Sequence, residues 1–174
     1  FSRLVVSPLD MRERLYALID REIANARAGR EAYILGKVNH ITDEGMIRKL
    51  YEASAAGVPV RFLVRGNCSL VTRIEVRGII DRYLEHSRIL IFCNGGDELC
   101  YIGSADWMTR NLDRRVEVYA PVADPRLRSQ LRRIVDYGLA DNVAARIVDG
   151  SGRNLIYGSG EPGFRSQQRL YDDY

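Results

Sequence analysis

Two short apolar runs, residues 32–38 (AYILGKV) and Val60–Val64 (VRFLV), flank a stretch with helical apolar spacing, and nothing else in the chain constrains the fold so strongly. Asp43 stands where a helix N-cap belongs. Met46, Ile47, Leu50 and Tyr51 then make one apolar stripe, and Gly57 closes it. A strand, a helix and a strand in that order form a crossover unit whose two strands lie parallel. The class that follows is α/β.

The flanking sequence extends the sheet. Ser7, Pro8 and Asp10 read as an N-cap, a first-turn proline and a capping-box acid, opening a helix that carries Leu15, Ile19 and Ile23 and ends at Gly29. After a Gly66-Asn67-Cys68 loop, residues 74–76 read as a short strand, 79–84 as a helical turn or two, and Arg88–Phe92 as a strand. Asn94-Gly95-Gly96-Asp97 is a turn signal, so a strand at 99–102 pairs back antiparallel. A polar helical turn around 106–111 and a strand at 116–119 follow. Asp124 and Pro125 then cap a helix with Leu127, Leu131, Ile134 and Val135 on one face. From Ser151 the chain reads as loop, with a terminal amphipathic helix over 164–174. The expectation is a mixed sheet flanked by helices, a single domain over residues 1–174 in which about 151–174 form a loop plus that last helix.

A 174-residue chain with 46 % hydrophobic content and a net charge of +3 suits one soluble globule. No run reaches the length of a membrane span, and the opening FSRLVVSPLD lacks the apolar stretch of a secretory signal, so the chain reads as though cut from a longer one. All but Lys37 and Lys49 of the 26 cationic residues are arginine. Arginine's planar fork suits phosphate, although a GC-rich genome produces the same bias. Cys68, Cys93 and Cys100 show no metal-ligand spacing and cannot all pair. A reduced, cytoplasmic setting with small apolar strand cysteines follows.

Three places concentrate polar chemistry. Arg65-Gly66 follows an apolar strand, where α/β sheets bind ligands, although an Arg-Gly turn is often only a turn. His86 and Arg88 lie two residues apart at the entrance to another strand and project to one side if extended, a pairing suited to phosphoryl chemistry; a histidine capping the preceding turn is the alternative. The run from Gly103 through Ser104, Asp106, Arg110 and Asn111 to Arg115 holds too many donors for core packing, and a helix starting near Asp106 would aim free amides at the strand ends. Trp107 within it reads as a packing residue.

In this order along the chain, the segments VRGNCSL, RYLEHSRI, NGGDELCYIGSADWMTRNLDRRVEVYAPV and DPRL resemble the C-terminal catalytic domain of bacterial polyphosphate kinases, as do the opening SPLDMRERLYALIDREIANA and the tail FRSQQRLY. The resemblance implies a phospholipase D-like fold that forms one half of a paired-domain active site. It implies a phosphotransferase converting ATP and polyphosphate(n) to ADP and polyphosphate(n+1). In that reaction a histidine of the preceding domain, outside this chain, carries the phosphoryl group, Mg²⁺ accompanies ATP, and the isolated domain is inactive. Arg65 and His86 match residues that contact nucleotide phosphates, and Arg115 matches a further active-site arginine. His86 and Arg115 are thereby the catalytic candidates, with Arg88, Ser104, Asp106 and Arg110 in support and no metal ligand assigned. The implied partners are ATP, ADP, polyphosphate, the preceding domain and further copies of the full-length protein, with no nucleic acid; membrane association of that longer protein stays open.

Departures from related patterns also inform. Where the phospholipase D pattern has lysine and then aspartate after its histidine, this chain has Arg88 and Cys93, which argues against phosphodiester hydrolysis. His40 stands where the family more often has a small polar residue and is read as incidental. The connection between Leu70 and Ile74 is shorter than the family's glycine- and proline-rich loop, through a true deletion or, preferably, through a mobile stretch missing from the chain. Two other readings stay open. One is a phospholipase D-like phosphodiesterase that pairs two copies. The other is a noncatalytic module holding polyphosphate electrostatically, for which +3 is a modest charge.

Overall fold

The structure, a computed structural model, describes residues 3–71, 74–158 and 162–173. Among them the strands are β1 (Val5–Ser7), β2 (Ile34–Val38), β3 (Val60–Val64), β4 (Glu75–Ile79), β5 (Arg88–Phe92), β6 (Leu99–Gly103), β7 (Glu117–Pro121) and β8 (Ala145–Ile147). The α-helices are α1 (Met11–Arg27), α2 (Glu44–Ala55), α3 (Thr109–Asp113), α4 (Pro125–Ala140) and α5 (Ser166–Asp173). The strands form one mixed sheet in the order β1-β7-β6-β5-β2-β3-β4-β8. Only β2, β3 and β4 pair in parallel; the other neighbours are antiparallel.

Strand alternation sorts the core into two layers. Val60, Phe62 and Val64 of β3 join Leu15 and Ile19 of α1 and Met46 and Leu50 of α2 in one buried cluster. Leu63 turns the other way, to Val135 and Leu139 of α4. Gly36 makes room for the Phe62 ring: a Cβ built there would sit 2.1 Å from it. Phe62 in turn meets the fully buried Trp107 edge-on, with ring centroids 5.1 Å apart, so Trp107 is a packing residue as expected. Cys93 and Cys100 are buried free thiols beside the β5–β6 hairpin.

Four local expectations are corrected. Ser7 caps no helix: it pairs with Glu117 in β1, and α1 begins only at Met11. The Asp10 carboxylate turns back to accept from the Val6 N–H at 3.0 Å instead of capping the helix. Residues 80–87 form no helical turn, because the Gln167 amide brackets the backbone N–H and C=O of Tyr83, both at 2.8 Å, and so takes the groups a helical ladder needs. The helix expected from Asp106 starts instead at Thr109 and spans five residues, too short to present a helix-terminus anion site. Strands β1 and β8 had no local signal; each is three residues long and made only by pairing with β7 and β4. The short 70–74 connection falls at residues 72 and 73, outside the described residues.

Candidate functional site

The strand directions bring the chemistry-bearing segments to one edge of the sheet. Parallel β2 and β3 both end there, with Val38 facing Val64, so Asn39 and Arg65 leave the sheet side by side. Antiparallel β5 starts there, and Arg88 faces Gly103 at the end of β6. The strand order changes direction beside β2, the position where open α/β sheets bind ligands.

A continuous row of hydrogen bonds crosses this edge. The Asn39 side-chain oxygen accepts from Nε and Nη2 of Arg65 at 3.1 and 3.0 Å. The Asn39 N–H donates to Oδ1 of Asp106 at 2.8 Å, and Asp106 also accepts from Nε and Nη2 of Arg88 at 3.2 and 3.1 Å. Arg88 then donates through Nη1 to the carbonyl of His86 at 3.0 Å and meets its Nδ1 at 3.2 Å. A guanidinium only donates, so Nδ1 is the acceptor in this contact and Nε2 is the ring nitrogen left to carry a proton. Arg65 and His86 are thus held in one network, through Asp106 and Arg88. Asn39 drew no notice in the sequence, although the rule that singled out Arg65, a polar residue just past the carboxyl end of a buried strand, applies equally to it.

Further contacts hold the loops that carry these groups. The nearly buried Lys37 ammonium reaches Glu85 at 3.1 Å and the Ser87 hydroxyl at 2.9 Å, and Gln167 of α5 donates to Glu85 at 2.8 Å, so the His86 segment is clamped from two sides. Trp107 exchanges backbone hydrogen bonds with His40, Thr42 and Asp43, which fastens the Asp106 loop over the end of β2. His40 accepts from the Asn67 N–H through Nδ1 at 2.9 Å, bracing the loop after Arg65. Ser104 is engaged with Glu117 and with the Val118 N–H. Arg12 forks between Asp43 and Asp113 at 2.7–2.8 Å, tying α1 to both flanks of this edge. Arg110, Arg114 and Arg115 are exposed and make no side-chain hydrogen bond or ion pair with another described residue. Arg115 stands just before β7 on the far side of the edge, and no hydrogen bond joins it to the Arg65–His86 row.

Three buried carboxylates are held ionised. Burial works against the charge of Asp43, but Arg12, the Thr109 hydroxyl and the Met46 N–H outweigh it and push the pKa down to about 2. Asp106 is also lowered: burial opposes ionisation and is outweighed by Arg88 and the amides of Asn39 and His40. Asp141, between α4 and β8, is lowered by the amides of Val143, Ala144 and Ser166 and by the Ser166 hydroxyl against the same burial cost. An unfolded aspartate titrates near about 3.9. Folded values below that give stability that is present above the unfolded pKa and lost as pH falls through the folded ones. The melting midpoint is expected to hold from about pH 7 to 5 and to fall steeply between about pH 4 and 2. Asp43 alone contributes about 2 kcal/mol to the loss. Thermal melts followed by circular dichroism across this range check it; a flat profile would overturn the linkage.

The edge is open and not a cavity. A crevice of about 20 Å³ lies beneath Arg65, whereas a cavity of about 490 Å³, lined by Arg61, Arg77, Leu139 and Tyr157 among others, sits at the opposite end of β3 and β4. No cluster of three or more histidine, cysteine or carboxylate side chains that could hold a metal occurs among the described residues. No helix among them is long and apolar enough to cross a membrane.

The family described as Polyphosphate kinase C-terminal domain 2 matches residues 4–167. The chain is 47 % identical over 180 residues to a polyphosphate kinase of Klebsiella pneumoniae and 46 % identical to that of Escherichia coli K12. Both matches cover 99 % of this chain and 26 % of the relative, so the chain spans about a quarter of the length of these curated relatives. The crystal structure of polyphosphate kinase from Porphyromonas gingivalis superposes with a TM-score of 0.95 at 43 % identity, over 99 % of this chain and 28 % of that one. Nuc, a phospholipase D family member from Salmonella typhimurium, superposes with a TM-score of 0.65 at 15 % identity, over 83 % of this chain and 95 % of that one, which shows a shared fold. A match over nearly the whole chain places this chain in the family of polyphosphate kinase C-terminal domains.

Proposed function

We propose that this chain works as one domain of a longer polyphosphate kinase and supplies phosphate-binding groups to the transfer of the ATP γ-phosphoryl group onto polyphosphate. The observation that carries the reading is the hydrogen-bonded row that links Arg65, through Asn39, Asp106 and Arg88, to His86 at an open sheet edge. Phosphoryl transfer spreads negative charge over three equatorial oxygens, and catalysis consists mainly of positioning and charge stabilisation. Arg65 offers N–H groups to those oxygens, the Nε2–H of His86 donates to a phosphate oxygen or serves as a general acid, and the exposed Arg115 supplies further positive charge from the other flank. Arg110 extends the cationic surface along a polyphosphate chain. The phosphorylated histidine lies in a preceding domain that closes over this edge. Mg²⁺ arrives with the nucleotide phosphates, since Asp43, Asp106, Glu85 and Glu117 already serve partners within the chain. ATP, ADP and polyphosphate are the ligands, and the longer protein is a cytoplasmic homo-oligomer.

The test is ATP-dependent polyphosphate synthesis by the longer kinase and by the 174-residue chain alone. Synthesis by the longer protein only is the expected result. Robust synthesis by the chain alone would refute the half-site, and synthesis by neither would refute the kinase reading. A phosphodiesterase reading is disfavoured because Arg88, where that pattern has lysine, is bound to Asp106, and Cys93, where it has aspartate, is buried at the other end of β5.

A further inference from the structure

Two arginines of the polar edge are held in opposite ways. Arg88 faces the carboxylate of Asp106, which neutralises it. Arg65 is held by a neutral amide: the oxygen of Asn39, a residue only 2 % exposed, takes Nε and Nη2 together. Both inner donors of the guanidinium are thereby fixed, while Nη1 and the outer Nη2 hydrogen have no partner among the described residues and form the free edge of the fork. The Asn39 amide accepts a cost in this arrangement, since with its oxygen turned to Arg65 its Nδ2 is buried without a hydrogen-bond partner.

We propose that Asn39 is a positioning residue that aims Arg65 at an incoming phosphate without neutralising it; this rests on the reading of the edge as a phosphate site. A carboxylate at position 39 would hold the same guanidinium edge more tightly, but it would be an anion in contact with the cation that must bind an anion. The backbone of Asn39 sets the register as well, because its N–H donates to the carboxylate that anchors Arg88 and, through it, His86. One buried residue therefore spaces Arg65 relative to His86, while the carboxylate assigns Arg88 to the scaffold.

The experiment is an NMR titration of the chain with inorganic tripolyphosphate, following the Arg65 Nε–H resonance in the unaltered chain, Arg65→Ala, Asn39→Ala and Asn39→Asp. In the unaltered chain the resonance is sharp and shifts on titration. Asn39→Ala is expected to broaden it and to weaken binding several-fold. Asn39→Asp keeps the resonance sharp yet weakens binding by about ten-fold or more, in line with the strength of a hydrogen bond between charged groups. That combination distinguishes aiming from shape, because the aspartate variant preserves size and acceptor. If Asn39→Asp binds within two-fold of the unaltered chain while Arg65→Ala binds weakly, the positioning role is overturned and the phosphate site stands. If the Arg65 resonance of the unaltered chain does not move, or Arg65→Ala binds normally, both fall. Should Asn39→Ala fail to fold, the aspartate variant carries the same decision.

Discussion

Asp106→Ala is expected to lower the unfolding free energy of this chain by about 3–5 kcal/mol, the usual cost of stranding one half of a buried ion pair. Asp106 is 6 % exposed and accepts from Arg88 twice and from the amides of Asn39 and His40. Without it the Arg88 side chain, itself 12 % exposed, is a buried charge with no anion, and two backbone N–H groups lose their acceptor. The loss should shrink greatly when Arg88 is replaced as well, since Arg88→Met/Asp106→Ala removes both charges; the two sites share one network and do not add. Urea denaturation of the single and double variants measures this. A single-variant loss below about 1 kcal/mol would mean that Asp106 does not hold the edge together.

Arg65→Ala and Arg115→Ala should each reduce kcat/KM for ATP-dependent polyphosphate synthesis by the longer kinase at least about a hundredfold, by analogy with arginines that stabilise phosphoryl-transfer transition states. Stability should scarcely change for Arg115→Ala and fall by about 1–3 kcal/mol for Arg65→Ala, which leaves the buried Asn39 oxygen without its donor. Among the described residues Arg65 bonds only to a neutral amide, and Arg115 is exposed with no side-chain partner. This separates them from Asp106 and Arg88, whose replacement disturbs folding first. Steady-state rates with matched melting curves decide it. A change of less than about threefold in either variant, with the fold intact, would remove that arginine from the reaction.

Much of the fold is legible residue by residue. The Asp43 cap is real, with its carboxylate accepting from the Met46 N–H at 3.0 Å, and so is the Asp124 cap, which accepts from Arg126 at 2.7 Å. The hairpin across residues 94–97 and the β2–α2–β3 crossover also follow from turn chemistry and periodicity, both of which are local. Failures occur where a distant partner outcompetes a local signal. The Ser7-Pro8-Asp10 pattern has the composition of a helix start, but β7, some 110 residues further on, claims Ser7 for a strand. The segment after β4 has the spacing of a helical turn, but Gln167 of α5 and Arg165 just before that helix hold it open.

The same division runs through the site. By itself the sequence determined the α/β class, the family, and the residue types an anion requires, since all of these reside in contiguous segments such as VRGNCSL and GSADWMTRNLDRR. Local pattern, apart from the family resemblance that named Arg65, could not tell which arginine is available. Arg65 and Arg88 both flank apolar strands and look equivalent along the chain; only the folded sheet brings Asp106 to one and Asn39 to the other, across 18 and 26 residues respectively. An ion pair neutralises a guanidinium whereas an amide leaves its charge intact, so the difference between a neutralised arginine and one whose charge stays available resides in a contact that exists only after the strands have aligned.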